Sequence, residues 1–434
     1  MPPDLREWLP EGHLAWFVLD TVEQIDLSAV YSSYRADGSG RPAHDPRMMV
    51  SLLVYAYAVG ERSSRQIERR CVEDVPFRVL AANRAPDHTT IARFRARHDE
   101  ALAGLFTSVL ELCGRAGMVR VGMVAVDGTK LAANAGLAAN RRVEKIREEV
   151  DRILAEAAEV DAAEDAEFGQ ARGDELPAEL AERTSRLARL RRAKEQLEAE
   201  KNAREEAQQA KLVAREEHRE RTGRYPLGRP PKSGPRVRDA HLEVARRNIT
   251  DPDSRIMTAR GSLIQGYNAQ AVVTDGQVIV AARVTGDPTD NRQLAPMIDA
   301  ARKTLKDAGV NESIKCVLAD GGYWNHEQIT EIRETANRTT VVIPTADPHN
   351  KDRRRGPKKG PEADRINRML TTAAGQRLYR RRAAIVEPVF AHTKHIRGID
   401  RFSRRGLQAT DREWQLIAAT HNLLKLFRYE PRTA

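Results

Sequence analysis

Three of the four Asp-Gly pairs, at 127–128, 275–276 and 320–321, each close a run of apolar residues. Asp-Gly between two apolar runs is the strongest short-range sign of a β-hairpin, because both residues tolerate positive φ. Only the middle pair meets that condition: VVTDGQVIV has a strand pattern on both sides. The first, in VAVDGTK, is followed by small and polar residues, and the third, in LADGGYW, runs into a glycine-rich turn and a helical pattern. Asp127 and Asp320 are therefore expected to end their strands at the carboxyl edge of a sheet, where α/β proteins bind ligands. Aspartate is depleted in strands, and a charge at the edge of a core costs free energy unless something neutralises it. Two aspartates converging there suit Mg²⁺ or Mn²⁺, which take oxygen ligands, and a two-metal site serves phosphodiester chemistry.

The rest of the chain divides by pattern. Residues 1–118 read as short helices joined by tight turns. Helix starts are marked at Ser63 or Ser64 and at the Pro-Asp-His-Thr-Thr cluster that begins at Pro86. With Arg65, Arg69, Arg70, Arg93, Arg95 and Arg97 on them, these helices suit a helix-turn-helix-like DNA-binding bundle or, equally, an ordinary helical domain with solvated arginines. Residues 119–140 open an α/β domain with a strand at 121–128. Residues 141–222 are a charged helical insertion, expected as a helical hairpin or coiled coil. Val143, Ile146, Val150, Ile153, Ala157 and Val160 form its heptad seam, and Leu180, Leu187, Leu190 and Leu197 lie on its second helix. Residues 223–262 read as a basic Pro/Gly linker whose GRP core resembles a minor-groove AT-hook. Residues 263–430 return to strands alternating with helices, which predicts mixed pairing in one sheet, and end in basic helices.

Charge points to a polyanion. The net charge is +10 and the pI about 9.6. Residues 351–405 alone hold 17 Lys/Arg against five Asp/Glu, a net of +12, and nucleic acid is the commonest partner of such a segment. Cys71, Cys113 and Cys316 are far apart and form no CxxC pair, which argues against a disulfide framework or a thiolate zinc site. The N-terminal residues carry no signal-peptide pattern, and no apolar run approaches a membrane span. The expected setting is soluble and cytoplasmic.

Two metal-binding carboxylates call for a third. Glu387 lies in the most basic part of the chain, and Lys394, seven residues on, falls about 20° away on a regular helix. A carboxylate for metal and an ammonium for phosphate would then share a face. Pro388 should kink this helix or start a new one. A surface salt bridge of Glu387 with Arg382 or Lys394 is the alternative reading.

At this point the residues resemble a family. SSRQIERRC, PDHTTIARFR, AVDGTK, GYNAQ, LADGGYW and YRRRAAIVEPVFAHTK, in that order, are similar to bacterial insertion-sequence transposases of the DDE type, nearest the branch named after insertion sequence eleven-eighty-two. The resemblance implies an RNase H-like catalytic domain with Asp127, Asp320 and Glu387 as a metal-holding triad, and Mg²⁺ or Mn²⁺, two ions, as cofactor. It maps a tyrosine–arginine–glutamate–lysine signature onto Tyr379, Arg382, Glu387 and Lys394. Four residues separate Arg382 from Glu387, one more than in related branches, so Arg380 or Arg381 could fill the arginine's place. The implied chemistry is cleavage at the element end and then strand transfer into target DNA. The implied partners are double-stranded DNA, as terminal inverted repeats and as target, and a second copy of the chain in the synaptic complex. The setting would be the bacterial nucleoid. The rival readings are a nuclease on the same fold without strand transfer, and an inactive DNA-binding relative. His392 and His395 read as helix-surface or DNA-facing residues, Asp287 and Asp290 as turn and cap residues, with metal ligation as the lesser alternative, and Tyr323 and Trp324 as core or base-stacking rings.

Overall fold

The computed structural model describes residues 5–34, 43–142, 145–146, 148–152, 178–225, 246–259, 261–335, 339–345 and 358–429. The chain forms two compact units, residues 1–132 with 266–434, and residues 133–265. No helix among the described residues is long and apolar enough to cross a membrane.

The first unit opens with helices α1 (Leu14–Glu23), α2 (Ser28–Tyr31), α3 (Pro46–Ala58), α4 (Ser64–Glu73), α5 (Val75–Leu80), α6 (His88–Arg97) and α7 (Asp99–Arg115). Their starts obey capping chemistry. Asp45 accepts the Arg47 N–H at 2.7 Å ahead of Pro46, and Asp87 accepts the N–H groups of Thr89 and Thr90 at 3.0 and 2.9 Å. Helix α3 is buried almost all round and ends at Gly60, where φ is +88°. A side chain there would be strained and would collide with the Arg397 carbonyl, so only glycine lets the two backbones meet.

The sheet of this unit centres on β1 (Met123–Ala132). It pairs antiparallel with β5 (Ser262–Thr274), which pairs antiparallel with β6 (Ile279–Thr285). On its other side β1 pairs in parallel with β7 (Cys316–Leu318), and β7 in parallel with β8 (Thr340–Val342). The order is β6-β5-β1-β7-β8, and the mixed pairing expected from alternating strand and helix patterns is found. Helix α9 (Leu294–Asp307) packs against β6, and α10 (His326–Thr335) against β8. Then come α11 (Pro361–Thr371), α12 (Ala373–Ala391) and α13 (Leu407–Phe427). Helix α13 runs beside α7, α3 and β6, and Arg397 just before it is buried. The Arg397 guanidinium donates to the Tyr57 carbonyl at 2.7 Å and the Ile417 carbonyl at 3.1 Å, joining α3 to the C-terminal helices. These acceptors offset part of the cost of burying the guanidinium, whose Nε has no partner among the described residues and whose pKa burial lowers to about 9.

Three expectations change here. Asp127 does not end its strand. β1 continues five residues past it, because β5 pairs along its whole length (Asp127 opposite Ala271, Ala132 opposite Gly266). What ends is the neighbour: the parallel pairing of β1 with β7 stops at Ala125–Leu318, and Asp127 sits where that edge falls open. Second, the Asp275–Gly276 pair does turn a hairpin, but the positive φ belongs to neither member. It belongs to Gln277, at +60°. This is the three-residue loop in which a type I turn precedes a left-handed residue.

Third, of the two outcomes expected for Pro388, the start of a new helix is not found; α12 runs through it. Proline has no N–H, so the carbonyl four residues back loses its helical partner. That carbonyl is Ala384, and the Gln277 side chain donates to it at 3.1 Å. The departure from α geometry comes later, as one π turn at His392–Ile396.

The second unit contains α8 (Ala178–Thr222), a two-stranded ladder of β2 (Asn140–Arg142) with β3 (Arg246–Asn248), and β4 (Arg255–Ala259), which pairs with β5. Part of the expected linker is thus strand, while 226–245, with the GRP segment, lies outside the described residues. So do Val143, Ile153, Ala157 and Val160 of the heptad seam. Its two described members, Ile146 and Val150, pack with Leu190, Ala193 and Leu197 of α8 in a small separate core. Charge pairs reinforce it: Asp253 takes Arg192 at 2.8 Å, and Glu200 takes Arg255 at 3.1 Å.

Candidate active site

The carboxylate of Asp127 stands at the open edge of β1. Asp320 stands two residues beyond the end of β7, where it caps the short 3-10 turn Gly321–Tyr323 by accepting the Gly322 N–H at 2.8 Å. Two parallel neighbouring strands that diverge leave a notch, and these side chains flank it. Helix α12 packs against β1 and brings Tyr379, Arg382 and Glu387 to the same place.

Arg382 links the elements. Its Nη1 donates to Asp127 Oδ2 at 2.9 Å, and its Nη2 lies 3.7 Å from Glu387 Oε1. Asp127 and Arg382 are 19% and 17% exposed, whereas Glu387 is 64% exposed. Of the candidate arginines, Arg382 is the one that reaches Asp127; Arg381 turns away to pair with Asp275. Tyr379 lies half-buried against Arg382. Lys394, carried on the π turn, donates to the Lys130 carbonyl at 3.0 Å, farther along β1 from Asp127. The π turn replaces the regular helix on which Glu387 and Lys394 were expected to share a face.

The electrostatics result from burial. The Asp127 pKa is pushed up to about 6, first by desolvation; Arg382 opposes this, and Asp320 and Asp290 add to it. Burial also raises the Tyr379 hydroxyl. Burial works against the Arg382 charge, but Asp127, Tyr379 and Asp320 more than offset it, so its pKa lies above the ordinary value.

Asp290 was expected as a helix cap, and it is not one. Helix α9 starts after Gln293 with no side-chain cap, and the Asp290 carboxylate faces the sheet instead. Its Oδ1 accepts from Asn268 Nδ2 and Gln270 Nε2, both at 2.7 Å, and from Lys130 Nζ at 3.4 Å. Asp287, by contrast, is a turn residue, accepting the N–H and hydroxyl of Thr289 at 3.0 and 2.9 Å. Tyr323 is fully buried and its hydroxyl donates to Gln270, so it is a core ring and not a stacking platform. The Gly128 position lets these groups approach, since a Cβ there would overlap Gln270 and lie 2.8 Å from Asn268 Oδ1 and 2.9 Å from Asp290 Oδ1. Asn268, Gln270 and Lys130 were missed from sequence. The resemblance motifs GYNAQ and AVDGTK contain them without assigning them a role, and strand register places Gly128 opposite Gln270 and Lys130 opposite Asn268.

Among the helical arginines, Arg65 and Arg93 are exposed and line a groove of about 490 Å³ between α4 and α6, with Ser63, Ser64, His88 and Thr89. Arg69 is exposed but held by Glu73 at 2.9 Å. Arg95 turns inward, donating to the Arg62 carbonyl at 2.7 Å and to Ser64 Oγ at 3.4 Å. His392, expected at the helix surface or facing DNA, is partly buried and stacks edge to face on His421, and burial lowers the pKa of both.

No three acidic, histidine or cysteine side chains among the described residues are gathered as a ready metal-ligand set. The Arg382 guanidinium pairs with both Asp127 and Glu387.

Comparison with known proteins gives two family matches. Residues 239–423 match the model of a transposase DDE domain, and residues 3–97 match that of a transposase domain (DUF772). No curated protein and no solved structure matches. The two matches support a DDE-type transposase.

Proposed function

We propose that this chain is a DNA transposase that cleaves phosphodiester bonds at the ends of its element and transfers the freed strand to target DNA. The observation that carries the reading is the Arg382 bridge: a guanidinium between Asp127 and Glu387, with Asp320 just beyond the end of the neighbouring strand β7. The strand order, three antiparallel strands and then two parallel ones, suits an RNase H-like core.

The donor set fits a hard divalent cation. Asp127, Asp320 and Glu387 offer carboxylate oxygens only, and the high Asp127 pKa marks a buried negative charge without full compensation. These three would hold Mg²⁺ or Mn²⁺, which when bound supplies Lewis-acid stabilisation of the attacking and leaving oxygens. The remaining work belongs to the protein. Glu387, exposed on α12, is free to turn toward the notch. Arg382, released from its acidic partners, is placed for the phosphate oxygens, and Tyr379 holds its guanidinium in place. Lys394 adds a point charge beside β1. Arg65 and Arg93 in the α4–α6 groove, with Arg69, would contact the phosphates of the terminal inverted repeats.

The test is cleavage of a labelled element end in Mg²⁺ by wild type and Asp320→Ala. A loss of about 10³-fold is expected, and full activity in the variant would remove Asp320 from the site. Strand transfer from pre-cut ends separates a transposase from a nuclease of the same fold.

A further inference from the structure

We infer that a second anion site lies at the C-terminal end of α13, where Arg120, Lys425 and Arg428 line a cavity that takes a phosphate group. The site is separate from the notch, since Asp127, Asp320, Arg382 and Glu387 do not line that cavity.

The cavity measures about 810 Å³, within the range of sites that hold small ligands. Its walls come from the segment between α7 and β1, the β5–β6 hairpin and the ends of α12 and α13. Arg120 and Arg428 are exposed, and Lys425 is half-buried. Three cations thus converge from two parts of the chain that are distant in sequence. Among the described residues, none of the three has a salt-bridge partner, and the one carboxylate in the lining, Asp275, is held by Arg381. Cations near a helix C-terminus often serve the last carbonyls. Lys425 does not: its Nζ donates to Gln277 Oε1 at 3.3 Å. A neutral amide oxygen holds the ammonium in place without cancelling its charge, and leaves it donors for a ligand.

The imidazoles supply a second sign. His421 is buried and lines the same cavity. Its Nε2 faces the Gln277 carbonyl at 3.2 Å and so carries the hydrogen, which leaves Nδ1 as an acceptor. That Nδ1 has no partner among the described residues, and neither has Nδ1 of His392, the ring stacked on it. Buried polar atoms are normally satisfied, and water carried in with a phosphate would donate to these. The potential here is of one sign. Burial first and then Arg397 push His421 down to about 3, and burial and then Arg428 lower Lys425. An anion in the cavity would relieve the repulsion among these groups. Two guanidinium forks and an ammonium match a phosphate, either a phosphodiester of a DNA strand or a free phosphate.

The experiment titrates inorganic phosphate into the full chain by isothermal titration calorimetry at constant ionic strength, with thermal melting alongside. Wild type, Arg120→Ala, Lys425→Gln, Arg428→Ala and Arg382→Ala are compared. Each of the three cavity variants is expected to weaken phosphate binding by about 10-fold, with no fall in melting temperature. Arg120 and Arg428 are exposed, so their variants decide the matter if Lys425→Gln does not fold. The titration is repeated on the chain saturated with a double-stranded oligonucleotide. Weakened phosphate binding then identifies a DNA phosphodiester as the occupant, and unchanged binding a free phosphate. No phosphate binding by wild type, or wild-type affinity in either Arg120→Ala or Arg428→Ala, overturns the inference. A loss confined to Arg382→Ala would put the phosphate in the notch and overturn it too. None of these outcomes touches the proposed activity, which stands or falls on cleavage.

Discussion

Adjacent arginines on α12 each hold the aspartate of an Asp-Gly pair. Arg382 takes Asp127, and Arg381 takes Asp275. The second pair is about half exposed on both sides, at 48% and 45%; the first is 17% and 19% exposed. Asp275 belongs to a hairpin turn whose backbone needs no special environment, and water screens its ion pair. Asp127 sits on a central strand at the point where a neighbouring strand leaves, and water is largely excluded. The same dipeptide and the same partner type thus give a surface contact in one place and a desolvated electrostatic centre in the other. Burial, and not residue identity, makes the difference.

The comparison can be broken at the arginines first. Arg382→Ala should lower DNA cleavage by about 10²-fold and cost about 3 kcal/mol of stability, because it leaves Asp127 buried and unpaired. Arg381→Ala should leave cleavage unchanged and cost under about 1 kcal/mol. Cleavage rates and urea unfolding of both variants check this, and equal effects would erase the distinction.

A second difference concerns pH. The folded-state pKa of Asp127 lies near 6, above its ordinary 3.8. Between these values the folded chain binds the proton that the unfolded chain has lost. Stability is therefore greatest below the lower value and falls as pH rises through about 6, by roughly 3 kcal/mol from this group. Asp127→Asn should flatten that fall when unfolding is monitored in chelator from pH 4 to 7. A slope unchanged by the substitution would place the cost elsewhere.

The smallest effects are expected where arginines face solvent. Arg65→Ala and Arg93→Ala should each weaken binding of element-end DNA several-fold and reduce its salt slope by about one. Arg95→Ala should act instead on stability, through its lost bonds to the Arg62 carbonyl and Ser64. Filter binding across a salt series separates the two classes.

These contrasts also mark how far the sequence could be read. The apolar runs that lead into Asp127 and Asp320 were legible because they are local properties, but the continuation of β1 past Asp127 was not, because it depends on pairing with β5. The mixed sheet was legible from local strand and helix patterns. Asp287 was legible as a turn residue, but the role of Asp290 was not, since only tertiary packing turns its carboxylate away from the helix start and toward the sheet. The passage of α12 through Pro388 depends on a Gln277 amide, which meets the Ala384 carbonyl 107 residues distant in sequence. Arg65 and Arg95 look alike in the sequence, yet one faces solvent and the other the interior.

Cleavage of a labelled element end by Asp127→Ala and Asp275→Ala, side by side in Mg²⁺, tests the central claim most directly. Asp127→Ala is expected to lose about 10³-fold in rate, and Asp275→Ala to match wild type. Wild-type cleavage by Asp127→Ala, or an equal loss in both, would contradict the claim.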